Sequence, residues 1–277
     1  MRLVSYRAAD GPVRVAELDG ELLRPLAAAS MIAWLEGEGT ERDGDPVELD
    51  GVELLAPVPA PPSIRDFFAF ERHVATVTEP LGGIPEAWYE APVFYFSSPA
   101  TVHGPGQPVA RPPSTERLDF ELEIAAVLDG RGEIGGFTLF NDWSARDVQS
   151  REMTVGIGPH KCKDFANTLG PWLVTPDELP YQDGRLQVNG RVTVNGDEVT
   201  SSTAADQRFG WPEMVAHAGR DSRLRAGDVL GSGTLGEGCL LELGPLEGDR
   251  WIEPGDVVAL EVDGLGTLET PVVAPDA

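Results

Sequence analysis

The sequence predicts a mainly β protein of α+β type with few helices, in which a small β-rich N-terminal domain precedes a larger one. Three observations carry this. Short β-branched or alternating runs recur along the 277 residues, punctuated by 32 glycines and 24 prolines. The repeated strand–helix alternation of a doubly wound sheet is missing, as are a Gly-x-Gly-x-x-Gly fingerprint and a phosphate loop. A proline cluster, Pro57-Val-Pro-Ala-Pro-Pro62, interrupts the pattern. Proline lacks the N–H a ladder needs and fixes φ, so this density suits a linker. The expected division is 1–60 and 61–277.

In the first unit, strands are expected at Arg2–Tyr6, Val13–Leu18 and Leu22–Leu26, a short helix at Ala29–Leu35, and strand-like sequence at Val47–Ala56. In the second, Leu118–Leu128, Gly136–Phe140 and Leu186–Val199 read as strands. The last contains two Val-Asn-Gly turns and so predicts a hairpin region. Strands Asp228–Leu230, Cys239–Leu243, Val257–Val262 and Gly266–Val273 follow. The best helices are Ser144–Met153 and Trp211–Ala218. The length is enough for a substantial core.

Charge and composition exclude several classes. A net charge of −25 repels a phosphate backbone and an anionic bilayer, so neither nucleic acid nor membrane is an expected partner. No apolar run reaches the roughly 18 residues of a membrane span, and the N-terminus lacks the pattern of a signal peptide; a cytoplasmic location is expected. The two cysteines, Cys162 and Cys239, are not in a Cys-x-x-Cys pair, and the four histidines show no zinc spacing. Any metal is expected to be hard and oxygen-ligated.

Five stretches could carry chemistry. In Leu118–Leu128, read as a strand, Asp119, Glu121 and Glu123 share one face and Phe120, Leu122, Ile124 and Ala126 the other. Glu121 and Glu123 would lie about 7 Å apart at the backbone, close enough to converge on one cation. A half-exposed acidic strand would look the same. In Asn141-Asp-Trp-Ser-Ala-Arg-Asp-Val-Gln149, Ser144 and Asp147 approach a capping box, so Arg146 and Gln149 would share a helix face with Asp142 just before it. The only two lysines, Lys161 and Lys163, sit together in Gly158-Pro-His-Lys-Cys-Lys-Asp-Phe165. An arginine-using chain that places both there points to a need for an ammonium. Asp66-Phe-Phe-Ala-Phe-Glu-Arg-His73 offers another carboxylate and a candidate base. Gly231-Ser-Gly-Thr-Leu-Gly-Glu-Gly-Cys-Leu-Leu-Glu-Leu243 has glycines suited to close backbone approach, and Glu242 in a strand-like apolar run.

Taken in this order, these motifs resemble the fumarylacetoacetate hydrolase family over roughly Pro62 to Val273. The resemblance implies a mixed β-roll or sandwich, usually a homodimer, with a magnesium ion (calcium or manganese are alternatives). It implies Asp66, Glu121, Glu123 and Asp142 as metal ligands, His73 as general base and Glu242 as its orienting carboxylate. Arg146, Gln149 and Lys163 match groups around the substrate oxygens, and Tyr95 and Thr234 look like substrate contacts. The implied reaction is hydrolysis of a carbon–carbon bond in a small 1,3-dicarbonyl or acylpyruvate-type acid, through a metal-chelated enolate and His-activated water. The same site in relatives implies alternatives: a 2-oxo acid isomerase or tautomerase, a dienoate hydratase, a decarboxylase, or a non-catalytic ligand-binding protein. The sequence departs from fumarylacetoacetase in its shorter N-terminal part. Met153 replaces a substrate-side tyrosine, Cys162-Lys-Asp-Phe165 replaces a common Gly-Lys-Ser-Phe, and the spacing from Asp142 to Lys163 is one residue longer. These departures bear on the substrate.

Overall fold

The strand Leu122–Leu128 is buried along its whole length because both its faces are covered. Leu122, Ile124, Ala126 and Leu128 pack into a core shared with Val192, Val258, Leu260 and Leu268 of a second sheet. Ala125 and Val127 face the other way, into a cluster with Met31 and Leu35 of the short helix Met31–Leu35. The computed structural model describes residues 1–9 and 11–275.

Two sheets dominate. The larger has 12 strands and runs Val47–Glu48, Leu22–Pro25, Val13–Asp19, Arg2–Arg7, Asn167–Val174, Ile134–Asp142, Leu122–Leu128, Val229–Gly231, Ile64–Phe67 and Phe94–Ser97, with two short strands off this path. The smaller has five and runs Asp197–Thr203, Asn189–Val194, Val257–Val262, Gly266–Val273 and Val109–Ala110. Most neighbours are antiparallel, but Val229–Gly231 pairs parallel with Ile64–Phe67. That pairing brings the start of the second unit beside its later half. The mixed sheets and scarce helices are those expected from the sequence.

The boundary expected near residue 60 falls between the strands Glu53–Leu55 and Ile64–Phe67. Across it the large sheet is continuous, since Arg2–Arg7 pairs with Asn167–Val174. Leu3, Val15 and Met31 share a buried cluster with Phe140 and Leu169.

Four local expectations are corrected. Leu118–Leu128 is not one strand. Leu118–Asp119 pairs with Ser144–Ala145, the chain breaks at Phe120 and Glu121, and Leu122–Leu128 resumes beside Ile134–Asp142. At the break the Glu121 N–H donates to Asn141 Oδ1 instead of a neighbouring strand. Cys239–Leu243 is not a strand; Leu240–Leu243 is one helical turn, because the N–H groups of Leu240 and Leu241 donate to Asp119. The helix expected from Ser144 begins at Arg146, with no capping side chain, since the Ser144 hydroxyl donates back to the Asp142 carbonyl. Of the two Val-Asn-Gly sequences, only Asn195-Gly196 makes a turn, with φ of 56° and 88°. Both residues thus have the positive φ of a tight hairpin. Asn189-Gly190 lies within a strand, where Gly190 leaves room for Val262.

Candidate active site

The order of strands in the large sheet decides which carboxylates meet. Ile134–Asp142, Leu122–Leu128, Val229–Gly231 and Ile64–Phe67 are successive neighbours. Asp142 ends the first, Glu123 lies in the second, Glu121 stands at the break before it, and Asp66 lies in the fourth. Asp66, Glu121, Glu123 and Asp142 each offer an oxygen, and these all lie within 4.8 Å of one another. All four residues are buried. Gly231 supplies no ligand but makes the approach possible: a Cβ there would collide with Asp66 and crowd Glu123 and Phe140. Two residues on, the Gly233 N–H donates to Asp66 Oδ1 at 3.2 Å and Glu123 Oε2 at 3.1 Å.

Two cations enter this acidic centre. Lys163 Nζ donates to Glu121 Oε2 at 2.6 Å and to Asp142 Oδ2 at 2.7 Å. Arg146 donates through Nε to Asp119 Oδ2 at 2.7 Å and through Nη1 to Gln149 Oε1 at 3.0 Å, and its Nη2 lies 2.8 Å from Glu121 Oε1. Lys161, the other lysine, is exposed and paired with Asp164.

Burial pushes the carboxyls of Asp66 and Glu123 well above the usual range. The Asp142 charge adds to the rise at Asp66, and the Asp66 and Glu121 charges add to it at Glu123. Burial, with the Glu121 charge and against Lys163, raises Asp142 to about 6. Burial opposes ionisation of Glu121 too, but Lys163 and Arg146 overcome it and hold that carboxyl below the usual range. The Lys163 ammonium is held charged by Asp142 and Glu121 despite its own burial.

The residues present fit a divalent cation. Counting Asp119, five buried carboxylates share two bonded cations among the described residues. Buried Glu123 Oε1 and Asp142 Oδ1 have no hydrogen-bond donor. An all-oxygen set with excess negative charge and unpartnered oxygens suits a hard ion.

A candidate base adjoins the cluster. His73 lies in the helix Glu71–Thr78, and its Nδ1 is 2.9 Å from Glu242 Oε2. An ionised carboxylate only accepts, so Nδ1 carries the proton and Nε2 is left as the basic nitrogen. Glu242 Oε1 accepts the Glu237 N–H at 3.0 Å, and Cys239 Sγ donates to Oε2 at 3.4 Å. Burial opposes ionisation of Glu242, but the bond and charge of His73, with the Glu237 N–H and Cys239, together outweigh it and lower its pKa.

His73, Asp66, Glu121, Glu123, Arg146, Gln149, Lys163, Tyr95 and Thr234 all border one cavity of about 270 Å³. Tyr95 donates from its hydroxyl to Asp142 Oδ2 at 2.5 Å. Thr234 Oγ1 is buried without a partner. Asp142 does not line this cavity; it accepts from Tyr95 and Lys163, which do, and completes the carboxylate cluster.

A family model described as fumarylacetoacetate (FAA) hydrolase C-terminal matches residues 63–273. The chain belongs to the fumarylacetoacetate hydrolase family. This family member is similar to oxaloacetate tautomerase YisK of Bacillus subtilis (strain 168), with 28% identity over 262 residues, covering 88% of this chain and 81% of that one. It is similar to fumarylacetoacetase of Arabidopsis thaliana, with 28% identity over 259 residues, 71% of this chain and 61% of that one. The chain thus spans about six-tenths of the plant enzyme's length. A solved 5-carboxymethyl-2-hydroxymuconate delta-isomerase from Mycobacterium smegmatis superposes with a TM-score of 0.77 at 27% identity, covering 99% of this chain and 100% of that one. The relatives' names span a hydrolase, a tautomerase and an isomerase, so membership of the family leaves the reaction open.

Two residues of this family member escaped sequence reasoning. The strand pattern places Asp119 on one face with Glu121 and Glu123, yet it accepts from Leu240 N, Leu241 N and Arg146 Nε and so joins the Glu242-bearing turn to the Arg146–Glu121 pair. Cys239, read only as an unpaired cysteine, stands against both His73 and Glu242. An acidic residue just before a break, with a guanidinium near, was the available signal for Asp119. Nothing local marks Cys239.

Proposed function

We propose that this protein is a divalent-metal-dependent hydrolase that cleaves a carbon–carbon bond in a small 1,3-dicarbonyl or acylpyruvate-type acid. The observation that carries this reading is the His73–Glu242 pair, which borders the same cavity as the carboxylate cluster. Asp66, Glu121, Glu123 and Asp142 would hold the ion, with magnesium the expected one. When bound it supplies Lewis-acid stabilisation of enolate charge and offsets the negative charge of an acid substrate within a strongly acidic protein.

The chain's own groups account for the proton traffic. Glu242 fixes the His73 tautomer and stabilises the imidazolium formed when Nε2 takes a proton from water. The resulting hydroxide adds to the carbonyl farther from the acid end; as that carbonyl re-forms, the carbon–carbon bond breaks, its electron pair leaves as the enolate of the acid-bearing fragment, and the imidazolium returns its proton to the enolate carbon. Lys163 uses two of its three N–H donors on Glu121 and Asp142, which leaves one for a developing oxyanion. Arg146 pairs with Glu121 and donates to Gln149, and so fixes the wall of the site. Tyr95 braces Asp142 by donating to the same oxygen as Lys163.

The test is loss of enol absorbance from a panel of acylpyruvates and acylacetoacetates, with magnesium and with chelator, and with product analysis. Magnesium-dependent release of two fragments is expected. Loss of the enol without fragmentation would replace hydrolysis with tautomerisation. That second reading has its own support: the similarity to YisK extends over 88% of the chain, and the same histidine could move a proton between carbon and oxygen without water. Homodimerisation is part of the proposal, and light scattering tests it.

A further inference from the structure

We infer that the substituent beyond the reacting carbonyl is an uncharged, apolar acyl group, alkyl or aryl, and that a second carboxylate there is selected against. The inference rests on the reading above, in which the acid end of the substrate lies at the carboxylate cluster.

The cavity lining divides into a buried polar part and a more exposed apolar part. Asp66, Glu121, Glu123 and Lys163, all buried, make the first. The remaining wall is built largely from Phe68, Val77, Val93, Phe94, Met153 and Ile157. Val93, Met153 and Ile157 leave 43%, 45% and 80% of their surface exposed. An apolar group laid against them would remove this surface from water, and the flexible thioether of Met153 can adapt to its shape.

Every cationic or protonatable nitrogen side chain at this cavity is already paired with a carboxylate, and the one N–H that Lys163 keeps lies in the polar part beside Glu121 and Asp142. Among the described residues these are Lys163, Arg146 and His73. Lys163 holds Glu121 and Asp142, Arg146 holds Asp119 and Glu121, and His73 holds Glu242. His160, on the neighbouring loop, is paired with Glu152. A carboxylate placed against the apolar wall would give up water and meet no free cation. The net charge of −25 adds to that penalty for a dianion.

The test uses two acylpyruvates matched in length, one ending in methyl or phenyl and one ending in carboxylate. Rates are followed by both enol loss and fragment release, and affinities for the magnesium-loaded protein are measured by calorimetry. Wild type should favour the uncharged compound by about a hundredfold in kcat/KM, with the same order in Kd. Met153→Arg, at an exposed position, should narrow that ratio by roughly tenfold by supplying a cation at the apolar end. Equal or reversed preference in wild type would overturn the inference, as would binding of neither compound. Selective enol loss without fragments would uphold the apolar preference and reject hydrolysis, so the two readings fail separately. Selective binding without turnover would do the same.

Discussion

His73 is useful as a base only while Glu242, 2.9 Å from Nδ1, holds the proton there and leaves Nε2 free in a side chain that borders the cavity. His73→Ala should therefore lower kcat by roughly a hundred- to ten-thousand-fold while magnesium affinity, measured by calorimetry, stays close to wild type. An unchanged kcat would remove His73 from the mechanism. Asp119 acts one step further back. It accepts from the turn that carries Glu242 and from the guanidinium that pairs with Glu121. Asp119→Asn keeps the shape but loses the charge, and should lower kcat by roughly tenfold with little change in KM. In a Glu242→Gln background the same substitution should cost little more, because the group it orients is already gone. Fully additive losses would assign Asp119 to general stability.

The glycine segment after Val229 shows how a backbone element shapes a site without contributing a side chain. Asp66 and Glu123 come from strands on either side of Val229–Gly231, and they meet only because Gly231 has no Cβ. Gly233, at φ +78°, then turns its N–H to both carboxylates. Gly231→Ala should force the carboxylates apart, weaken metal binding strongly and destabilise the fold by ~1–3 kcal/mol. Calorimetric titration and thermal unfolding of the same sample separate the two effects. Wild-type metal affinity in this variant would show that the carboxylates do not need their present spacing. The break at Phe120 and Glu121 plays a parallel part, since it lets Asp119 serve the 240–243 turn while Glu121 and Glu123 serve the cluster.

Across the molecule, the buried cluster links folding, protons and metal. Burial and mutual repulsion raise Asp66 and Glu123 well above the ordinary range and Asp142 to about 6. An unfolded chain releases such protons near pH 4. Without metal, the folded state then binds more protons than the unfolded state between about pH 4 and the raised values. Its stability should fall as pH rises through that window, read as a declining Tm in calorimetry. Saturating magnesium should flatten this slope, and magnesium titration at neutral pH should release protons, seen as heats that vary with the buffer. A Tm that rises steadily with pH in the metal-free protein would contradict the assignment. The same sheet that carries the cluster also takes in the N-terminal strands, and no helix among the described residues is long and apolar enough to cross a membrane.

Much of this was legible in the chain itself. Period-two runs located Val257–Val262 and Gly266–Val273, and Asn195-Gly196 marked its hairpin, because these features depend on neighbouring residues alone. The motifs that carry the family resemblance identified the four carboxylates, His73, Glu242 and Lys163 as residues to bring together, and the fold gathers them at one cavity and the cluster beside it. What local pattern could not decide was partnership over long separations. Cys239–Leu243 has the apolar run of a strand, yet it coils because Asp119, 121 residues from Leu240, accepts its N–H groups. Two lysines one residue apart look alike in sequence, but only Lys163 is drawn inside, where two carboxylates compensate its desolvation. An acidic strand face reads as solvated until distant segments close on it, as Asp66 and Lys163 close on Glu123 and Glu121. Burial and pairing are set by which distant segments fill the space around a side chain, and that is why only the tertiary structure decided them.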